Sequence, residues 1–377
     1  MPPSHPGELI VEPVSRQDHL LQALQRVPDP RKPRGRRHPL ATLIAVAVCA
    51  TLAGAKGFTA IGQWAAESTT HTLTTLGMVR GAADEATFRR TFARLDTGPL
   101  DQVLGAWAAT RVAVINGSRV ISLDGKTLRG ARAGTERAPH LVAALCGTST
   151  LGQVAVDAQS NEIPAVRDLL GFIDINGAVV TLDAMHTHTD TAHAIRAGGA
   201  HYVFTVKANN KHLYAQLKKV PWKHVPAHTT RDTGHGRKET RTIKTAQVPA
   251  WITFEGAAQV AQPRRTTWRK KSKGSAKRKS VEVVYLITSA DHHAAPPLVQ
   301  AGWVRRHWGI ENKLHHVRDV TYDQDRSQVR TGSAPRVLAT LRNTTIGPLR
   351  AAGFDNIAEA NRHMIRDKAR PLRLLQT

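Results

Sequence analysis

The chain has 377 residues, of which 41% are apolar and 22% charged, so it is long and apolar enough for two or three globular domains. Its 53 Lys and Arg outnumber its 29 Asp and Glu, and the net charge of +24 favours a polyanionic partner. Nucleic acid is the leading candidate and an anionic membrane surface is the alternative. Two cysteines, Cys49 and Cys146, exclude a disulfide framework and a cysteine-based zinc site.

The N-terminal segment has no signal-peptide core, and residues 1–15 are predicted to form a disordered tail. The apolar run LATLIAVAVCATLAGA, residues 40–55, is shorter than the roughly 20 residues that a membrane span needs. It predicts a buried helix instead. We therefore expect a cytoplasmic protein, associated with the nucleoid if its partner is DNA.

Residues 16–112 predict a helical N-terminal domain. The segment VPDPRKPRGRRHPL predicts an extended basic arm, because its Pro and Gly residues disfavour a helix. The segment DEATFRRTFARLD predicts a helix that Asp84 caps, with Phe88, Phe92 and Leu95 on one face. Each segment is either ordinary solvated surface or a contact with the DNA backbone. The candidate contacts are Arg34, Arg36, Arg37, Arg89 and Arg90.

From residue 117 to residue 208 the pattern changes to short apolar strands. The predicted strands are residues 119–124, 140–145, 152–158, 177–183 and 201–208. Helices that begin near Asn161 and Thr189 separate the last three of them. Three closely connected strands followed by two strand–helix crossovers predict an α/β fold, in which helices flank a mixed sheet.

Residues 209–280 interrupt this pattern as a polar, basic insertion. The stretch 264–279 holds nine Lys and Arg and no acid, a composition typical of a segment that is disordered when free. A DNA partner would order such a segment. The candidate contacts within it are Arg269, Lys270 and Lys271.

The catalytic core is predicted to resume at residue 281 and to end at residue 352. The apolar run at 281–289 predicts another strand, and helices follow at about 297–317 and 334–352. Residues 353–377 are predicted to be a C-terminal tail.

Two of the predicted strands end in the same way, with an aspartate after a buried run. VISLDGK carries Asp124 and VVTLDAM carries Asp183, so parallel neighbouring strands would bring the two carboxylates together at the carboxyl edge of the sheet. Such oxygen ligands suit Mg²⁺, and a pair of ions can clamp both oxygens of a phosphoryl transfer. Taken singly, each aspartate is also explained as a turn or cap residue.

A single acid, Glu311, stands among the basic residues of RRHWGIENKLHHVR, residues 305–318. Helical spacing predicts that it shares an edge with His307, His315 and Arg318. It is either a simple partner for a histidine or a third metal-binding carboxylate whose basic neighbours hold phosphates. The alternatives for that third ligand are Asp319, Asp323 and Asp325.

The two histidines of DAMHTH, His186 and His188, raise the alternative of a zinc site. Their spacing of two residues does not place them on one face of a helix. No cysteine lies nearby to complete a ligand set, so the pattern favours carboxylate ligands instead.

Together these motifs resemble bacterial insertion-sequence transposases of the DDE type, in the branch that includes the H-repeat-associated proteins. The similarity extends from about residue 20 to about residue 352, and it includes LDGKTLRGA, SNEIPAV, VVTLDAMHTH and HWGIENKLHHVRDVTYDQD. It implies an RNase H-like core with a DDE triad at Asp124, Asp183 and Glu311. It also implies an insertion before the last catalytic helix.

The resulting hypothesis is a DNA transposase that uses two Mg²⁺ or Mn²⁺ ions, cuts at the ends of its element and joins the freed 3′-OH to target DNA. A homodimer is expected on DNA. The candidate phosphate contacts around the site are Lys126, Lys207, Arg305, Arg306, His307, Lys313 and Arg318. An inactive or repurposed DNA-binding protein and an RNase H-like nuclease remain the alternatives.

Overall fold

The computed structural model describes residues 19–34, 36–112, 119–234, 236–270 and 277–376. The predicted tail at 1–15, Lys271 and the side chain of Lys270 lie outside the described residues. Within the described ranges, every helix is too short or too polar to cross a bilayer.

The N-terminal part of the chain is helical, as predicted. Its helices are α1 (Leu20–Leu24), α2 (Leu40–Leu52), α3 (Phe58–Ala66), α4 (Thr70–Thr75), α5 (Glu85–Phe92) and α6 (Thr97–Ala109). Every residue of α2 is buried, which confirms that the long apolar run is a core helix. Asp84 caps α5 by accepting a hydrogen bond from the Thr87 amide at 2.7 Å, and Phe88 and Phe92 face the core.

The strands form one mixed sheet. They are β1 (Arg119–Thr127), β2 (His140–Cys146), β3 (Ser149–Ala155), β4 (Ala178–Leu182), β5 (His201–Val206), β6 (Ala227–Gly234), β7 (Arg237–Gln247), β8 (Gln259–Lys270), β9 (Lys277–Val283) and β10 (Tyr285–Thr288). The order is β3-β2-β1-β4-β5-β10-β8-β7-β6, and β9 also pairs with β8. An antiparallel β1–β2–β3 meander joined to parallel β4 and β5 is the predicted RNase H-like core.

Two crossover helices, α7 (Glu162–Phe172) and α8 (Thr189–Ala197), cover one face of this core. Asn161 caps α7 by accepting a hydrogen bond from the Ile163 amide at 2.9 Å. Gly199, with φ of +73°, provides the left-handed turn that follows α8 and leads into β5. Both boundaries agree with the sequence pattern.

The insertion, which contains α9 (Lys211–Lys219), continues the sheet rather than leaving it. Strand β8 pairs with β10 at one end and with β7 and β9 along its length. The prediction that the basic block is disordered when free is therefore wrong for its described residues. A continuous backbone hydrogen-bond ladder orders these strands although their side chains are mostly polar.

The C-terminal part returns to helices. They are α10 (Pro297–Ile310), α11 (His316–Val320), α12 (Ala334–Ala351), α13 (Ile357–Ile365) and α14 (Ala369–Gln376). The prediction of a tail after residue 352 is wrong, because Ile357, Met364 and Leu375 are buried in the same core as α2. The N-terminal and C-terminal helices therefore form a single layer, which packs against the sheet through Ala143 and Leu145 of β2.

Candidate active site

Asp124 and Asp183 lie side by side at the carboxyl edge of the sheet. Strands β1 and β4 are parallel neighbours, and their register pairs Ser122 with Thr181. Asp124 and Asp183 each follow two residues later, so they are at the same level on adjacent chains about 4.8 Å apart. Both side chains open into a cleft of about 530 Å³.

Glu311 lines the same cleft from the helical side. Helix α10 packs Trp303 onto the sheet face formed by Val120, Val179 and Val203, and this contact holds the end of the helix over the two aspartates. The exposed Glu311 side chain makes no hydrogen bond or ion pair to any described residue. The three carboxylates thus come from β1, from the end of β4 and from the end of α10.

A π-helical turn, Glu311–His315, interrupts the single helix that the sequence predicts at 297–317. Such turns are rare and often occur at functional sites. Here the turn brings His315 against the sheet, with its Nδ1 3.4 Å from Asp124 Oδ2. Over the described ranges, no three His, Cys, Asp or Glu side chains come close enough to share one ion. The three carboxylates therefore line one cleft, but in this conformation they are too far apart to bind the same ion.

Basic side chains lie close to both aspartates. Lys207 Nζ lies 2.9 Å and 3.2 Å from the two carboxylate oxygens of Asp183. Burial raises the pKa of Asp183, but the hydrogen bonds from Lys207 and the Ala184 amide outweigh it, so this pKa lies below its usual value. His307 contacts Thr181 Oγ1 through Nδ1 at 3.1 Å. Burial lowers the pKa of His307 despite the nearby Asp124 and Asp183, which favours the neutral ring.

The structure separates the predicted phosphate contacts into two groups. Those that line the cleft are Lys207, Arg305, His307 and Lys313. Lys126 is largely covered, because its Nζ donates a hydrogen bond to Asp319 at 2.6 Å and its side chain is only 12% exposed. This ion pair engages Oδ2 of Asp319, an alternative third ligand that does not line the cleft.

Arg318 corrects the sequence interpretation, because it is completely buried and therefore cannot contact DNA in this conformation. Its Nε donates a hydrogen bond to Gln324 at 2.9 Å, and its Nη1 donates one to Asn343 at 3.3 Å. The physical reason is the π-helical turn, since one additional residue rotates the following positions by about 100°. Glu311 and Arg318 therefore do not share an edge.

The remaining predicted contacts lie outside the cleft. Arg37 donates a hydrogen bond to the Arg80 carbonyl at 2.8 Å, and Arg89 forms an ion pair with Glu85 at 3.0 Å. The side chains of Arg34, Arg36, Arg90 and Arg269 are exposed, and Arg306 is half-buried. Their contact with DNA stays a prediction.

Sequence reasoning missed Glu162, which connects the two aspartate-bearing segments. His140 Nε2 donates a hydrogen bond to Glu162 Oε1 at 2.7 Å, and His186 Nε2 donates one to Oε2 at 3.3 Å. His186 lies in the turn directly after Asp183. A Cβ added at Gly125, next to Asp124, would lie 2.4 Å from the Glu162 carboxyl group, so only glycine leaves room for it.

These contacts also decide how the two histidines of DAMHTH are arranged. His186 is buried against Glu162, whereas His188 is exposed. The pair therefore does not converge on a common ligand position. Glu162 has one signal in the sequence, its place in the first turn of α7 after the Asn161 cap, but its histidine partners come from distant segments.

Two family models match the chain. The model described as "Transposase DDE domain" matches residues 115–346, and the one described as "DDE_Tnp_1-associated" matches residues 21–108. The first covers the described sheet, the cleft and most of α12. The second covers the N-terminal helices.

Two curated relatives are similar over most of their length. "Putative transposase YncI" of Escherichia coli O157:H7 is 29% identical over 346 residues, which cover 88% of this chain and 87% of that protein. "H repeat-associated putative transposase YhhI" of Escherichia coli strain K12 is 29% identical over 344 residues, covering 88% and 90%. A cryo-EM structure of the piggyBac transposase synaptic complex with hairpin DNA overlaps at 10% identity, with a TM-score of 0.38 over 90% of this chain and 72% of that one.

Proposed function

The chain belongs to the transposase DDE domain family, and we propose that it cuts DNA at the ends of a mobile element and transfers the freed 3′-OH into target DNA. The observation that carries this proposal is the shared cleft, into which Asp124, Asp183 and Glu311 project from three different elements. The net charge of +24 supports a DNA partner. We expect the assembly on DNA to be a homodimer.

The donor set of the cleft fits divalent cations, because three carboxylates supply the hard oxygen atoms that such ions prefer. Asp124, Asp183 and Glu311 are the residues that would hold Mg²⁺ or Mn²⁺. Two bound ions would supply charge neutralisation at the scissile phosphate and activation of the attacking oxygen.

The other cleft residues contribute placement and charge. Lys207 and Lys313 line the cleft beside the carboxylates, where their ammonium groups can hold phosphate oxygens. His307 favours its neutral form, so it adds no positive charge beneath a cation site. No covalent enzyme intermediate is required in phosphoryl transfer of this kind, so positioning and charge neutralisation account for the role of these side chains.

Three isosteric substitutions test the proposal. Asp124→Asn, Asp183→Asn and Glu311→Gln should each lower Mg²⁺-dependent cleavage of element-end DNA by at least about 10³-fold, because each removes one charged ligand. Binding of the same DNA without divalent cations should stay largely intact. Labelled duplex from the DNA flanking the coding sequence provides the substrate for both assays.

Asp190→Asn is the matched control, because Asp190 is 79% exposed and does not line the cleft. Wild-type cleavage by any of the three variants would remove that residue from the site. If the wild-type protein binds DNA but never cleaves it, the alternative of a DNA-binding protein is correct. Cleavage of any DNA without strand joining would identify a nuclease instead.

A further inference from the structure

Strands β7, β8 and β9 of the insertion place five of their six arginines on one face. The register pairs Arg241 with Arg265 and Arg237 with Arg269, and Arg269 with Arg278 on the next strand. Side chains two residues apart on a strand share a face, so all five arginines point the same way. Arg237, Arg241 and Arg265 line the active-site cleft opposite the carboxylates. Arg269 lines the adjoining groove.

A buried glutamate holds the arginines nearest the cleft. The Glu239 side chain is only 3% exposed, and its Oε1 lies 2.9 Å from Arg241 Nη2. Arg265 forms an ion pair with the same oxygen, and Arg237 Nε lies 3.7 Å from Oε2. A guanidinium group has five N–H donors. These ion pairs use only some of them, and the three side chains are 33–40% exposed. Donors therefore remain for a ligand in the cleft.

The opposite face of the same strands has a different composition. Lys238 pairs with Trp268, which pairs in turn with Lys279, so these three residues point away from the arginines. Lys244 and Arg264 share that opposite face by the same alternation, although Arg264 also lines the cleft. Arginine and lysine carry equal charge, but only the planar guanidinium group binds a phosphate through two parallel hydrogen bonds. The clustering of five of the six arginines on one face thus favours phosphate recognition there rather than general solubility.

The arginine face is also connected to the helix that carries Glu311. Asp232 of β6 lies 2.6 Å from Arg241 Nη1 and 3.8 Å from Arg305 Nη2 of α10. This bridge fixes the insertion strands relative to the end of α10. The arginine cluster, with Glu282 beside Arg265, and the three carboxylates of the cleft are therefore in a defined relation to each other.

We infer that Arg237, Arg241 and Arg265, organised by Glu239, bind the phosphate backbone of the DNA strand that enters the active-site cleft. The inference rests on the proposed function and adds a defined strand-holding wall to it. Arg237 and Arg241 are about 13 Å apart along β7, and Arg265 faces Arg241 from β8 about 5 Å away, so their guanidinium groups can meet different phosphates of one DNA strand. Phosphate contacts carry no sequence information, so the wall should hold DNA without regard to sequence.

A face-specific charge comparison tests the inference. The double variant Arg241→Gln with Arg265→Gln removes two cations from the cleft face. The control, Lys238→Gln with Lys279→Gln, removes two from the opposite face of the same strands. We would measure the affinity of each protein for a fluorescent duplex by anisotropy, without divalent cations and over a range of salt concentrations.

The cleft variant should bind roughly tenfold or more weakly, because two charge-assisted contacts are lost. Its plot of log affinity against log salt should be less steep by about 1.8, the value expected for two phosphate contacts. The control should behave as the wild-type protein. Equal losses in both variants would overturn the inference, because overall charge alone would then explain binding.

Loss of both arginines leaves Glu239 buried without its main partners, which can unfold the insertion. A triple variant therefore adds Glu239→Gln to Arg241→Gln and Arg265→Gln, so that no buried charge is left unpaired. It should show the same loss of DNA affinity as the double variant. Thermal melting checks that it is folded. A second double variant, Arg241→Lys with Arg265→Lys, keeps both charges but loses the guanidinium groups. It should keep the slope of log affinity against log salt and bind DNA more weakly. If it binds with wild-type affinity, the geometry of the guanidinium groups plays no role. Cleavage by the wild-type protein is scored separately, so the proposed function can fail while the comparison of faces still holds.

Discussion

The two ends of the single sheet are stabilised in different ways. At the catalytic end, β1, β4 and β5 bury apolar side chains such as Ile121, Val180 and Phe204 completely. At the insertion end, β6 is exposed along most of its length, and β7 buries little beyond Glu239 and Ile243. Burial therefore fixes the strands that carry Asp124 and Asp183, whereas a backbone ladder and ion pairs fix the strands that carry the arginines. The carboxylates are thus held in place by apolar packing, and the arginines by a different set of forces.

Paired alanine substitutions at the two ends give the largest expected contrast in stability. Ile121→Ala in β1 should lower the free energy of unfolding by about 2–5 kcal/mol, because it leaves a cavity in a fully buried position. Thr229→Ala in the exposed β6 should change it by less than about 0.5 kcal/mol. Denaturant unfolding of both variants measures the difference. Equal losses would show that the insertion end is also held by packing.

Glu162 gives the next contrast, because it stabilises the catalytic end through charge. Burial raises its pKa, but hydrogen bonds from His140 and His186 outweigh this and lower the pKa to about 2. A lowered carboxyl pKa stabilises the folded state above the unfolded value of 4.5, and that stability disappears as pH falls toward 2. The contribution at neutral pH is about 3 kcal/mol.

Glu162→Gln should therefore lower the melting temperature at pH 7 and weaken its dependence on pH between 4.5 and 2. Glu136→Gln, at an exposed glutamate, is the control and should change neither quantity. A Glu162 variant with an unchanged acid transition would show that the two histidine contacts do not stabilise the folded state.

The two ends also differ in how far the sequence predicts them. Apolar runs predict β1 and β4 because burial is their main stabilising force, and the repeated Ser/Thr-Leu-Asp ending predicts the neighbouring aspartates. The insertion strands have no apolar face to detect. Their signal is the alternation of Arg237, Glu239 and Arg241 along the strand. Residue composition does not reveal this alternation, because it ignores the order of the residues.

Other features depend on contacts that the local sequence does not contain. The residues of the π-helical turn, Glu311–His315, also occur in regular helices. The local sequence therefore does not predict the turn, which becomes visible only in the folded structure. The burial of Arg318 follows from that turn, so regular helical spacing places it incorrectly. In contrast, Ile357, Ala360 and Met364 have the spacing of an amphipathic helix, so α13 could have been predicted.

Salt gives the smallest expected effect and the most direct test of the comparison. Half-exposed ion pairs contribute at most about 1 kcal/mol each, and the Debye length falls from about 10 Å at 0.1 M salt to about 3 Å at 1 M. In hydrogen exchange, the backbone amides of β7 and β8 should lose protection by up to about fivefold in 1 M sodium chloride. Those of β1 and β4 should stay within about twofold, because burial of apolar side chains does not depend on screening.

Glu239 sets the limit of the effect, because a carboxylate that is only 3% exposed is screened less than its arginine partners. If β1 and β4 lose more protection than β7 and β8, ion pairs hold the catalytic end and the distinction between the two ends is wrong.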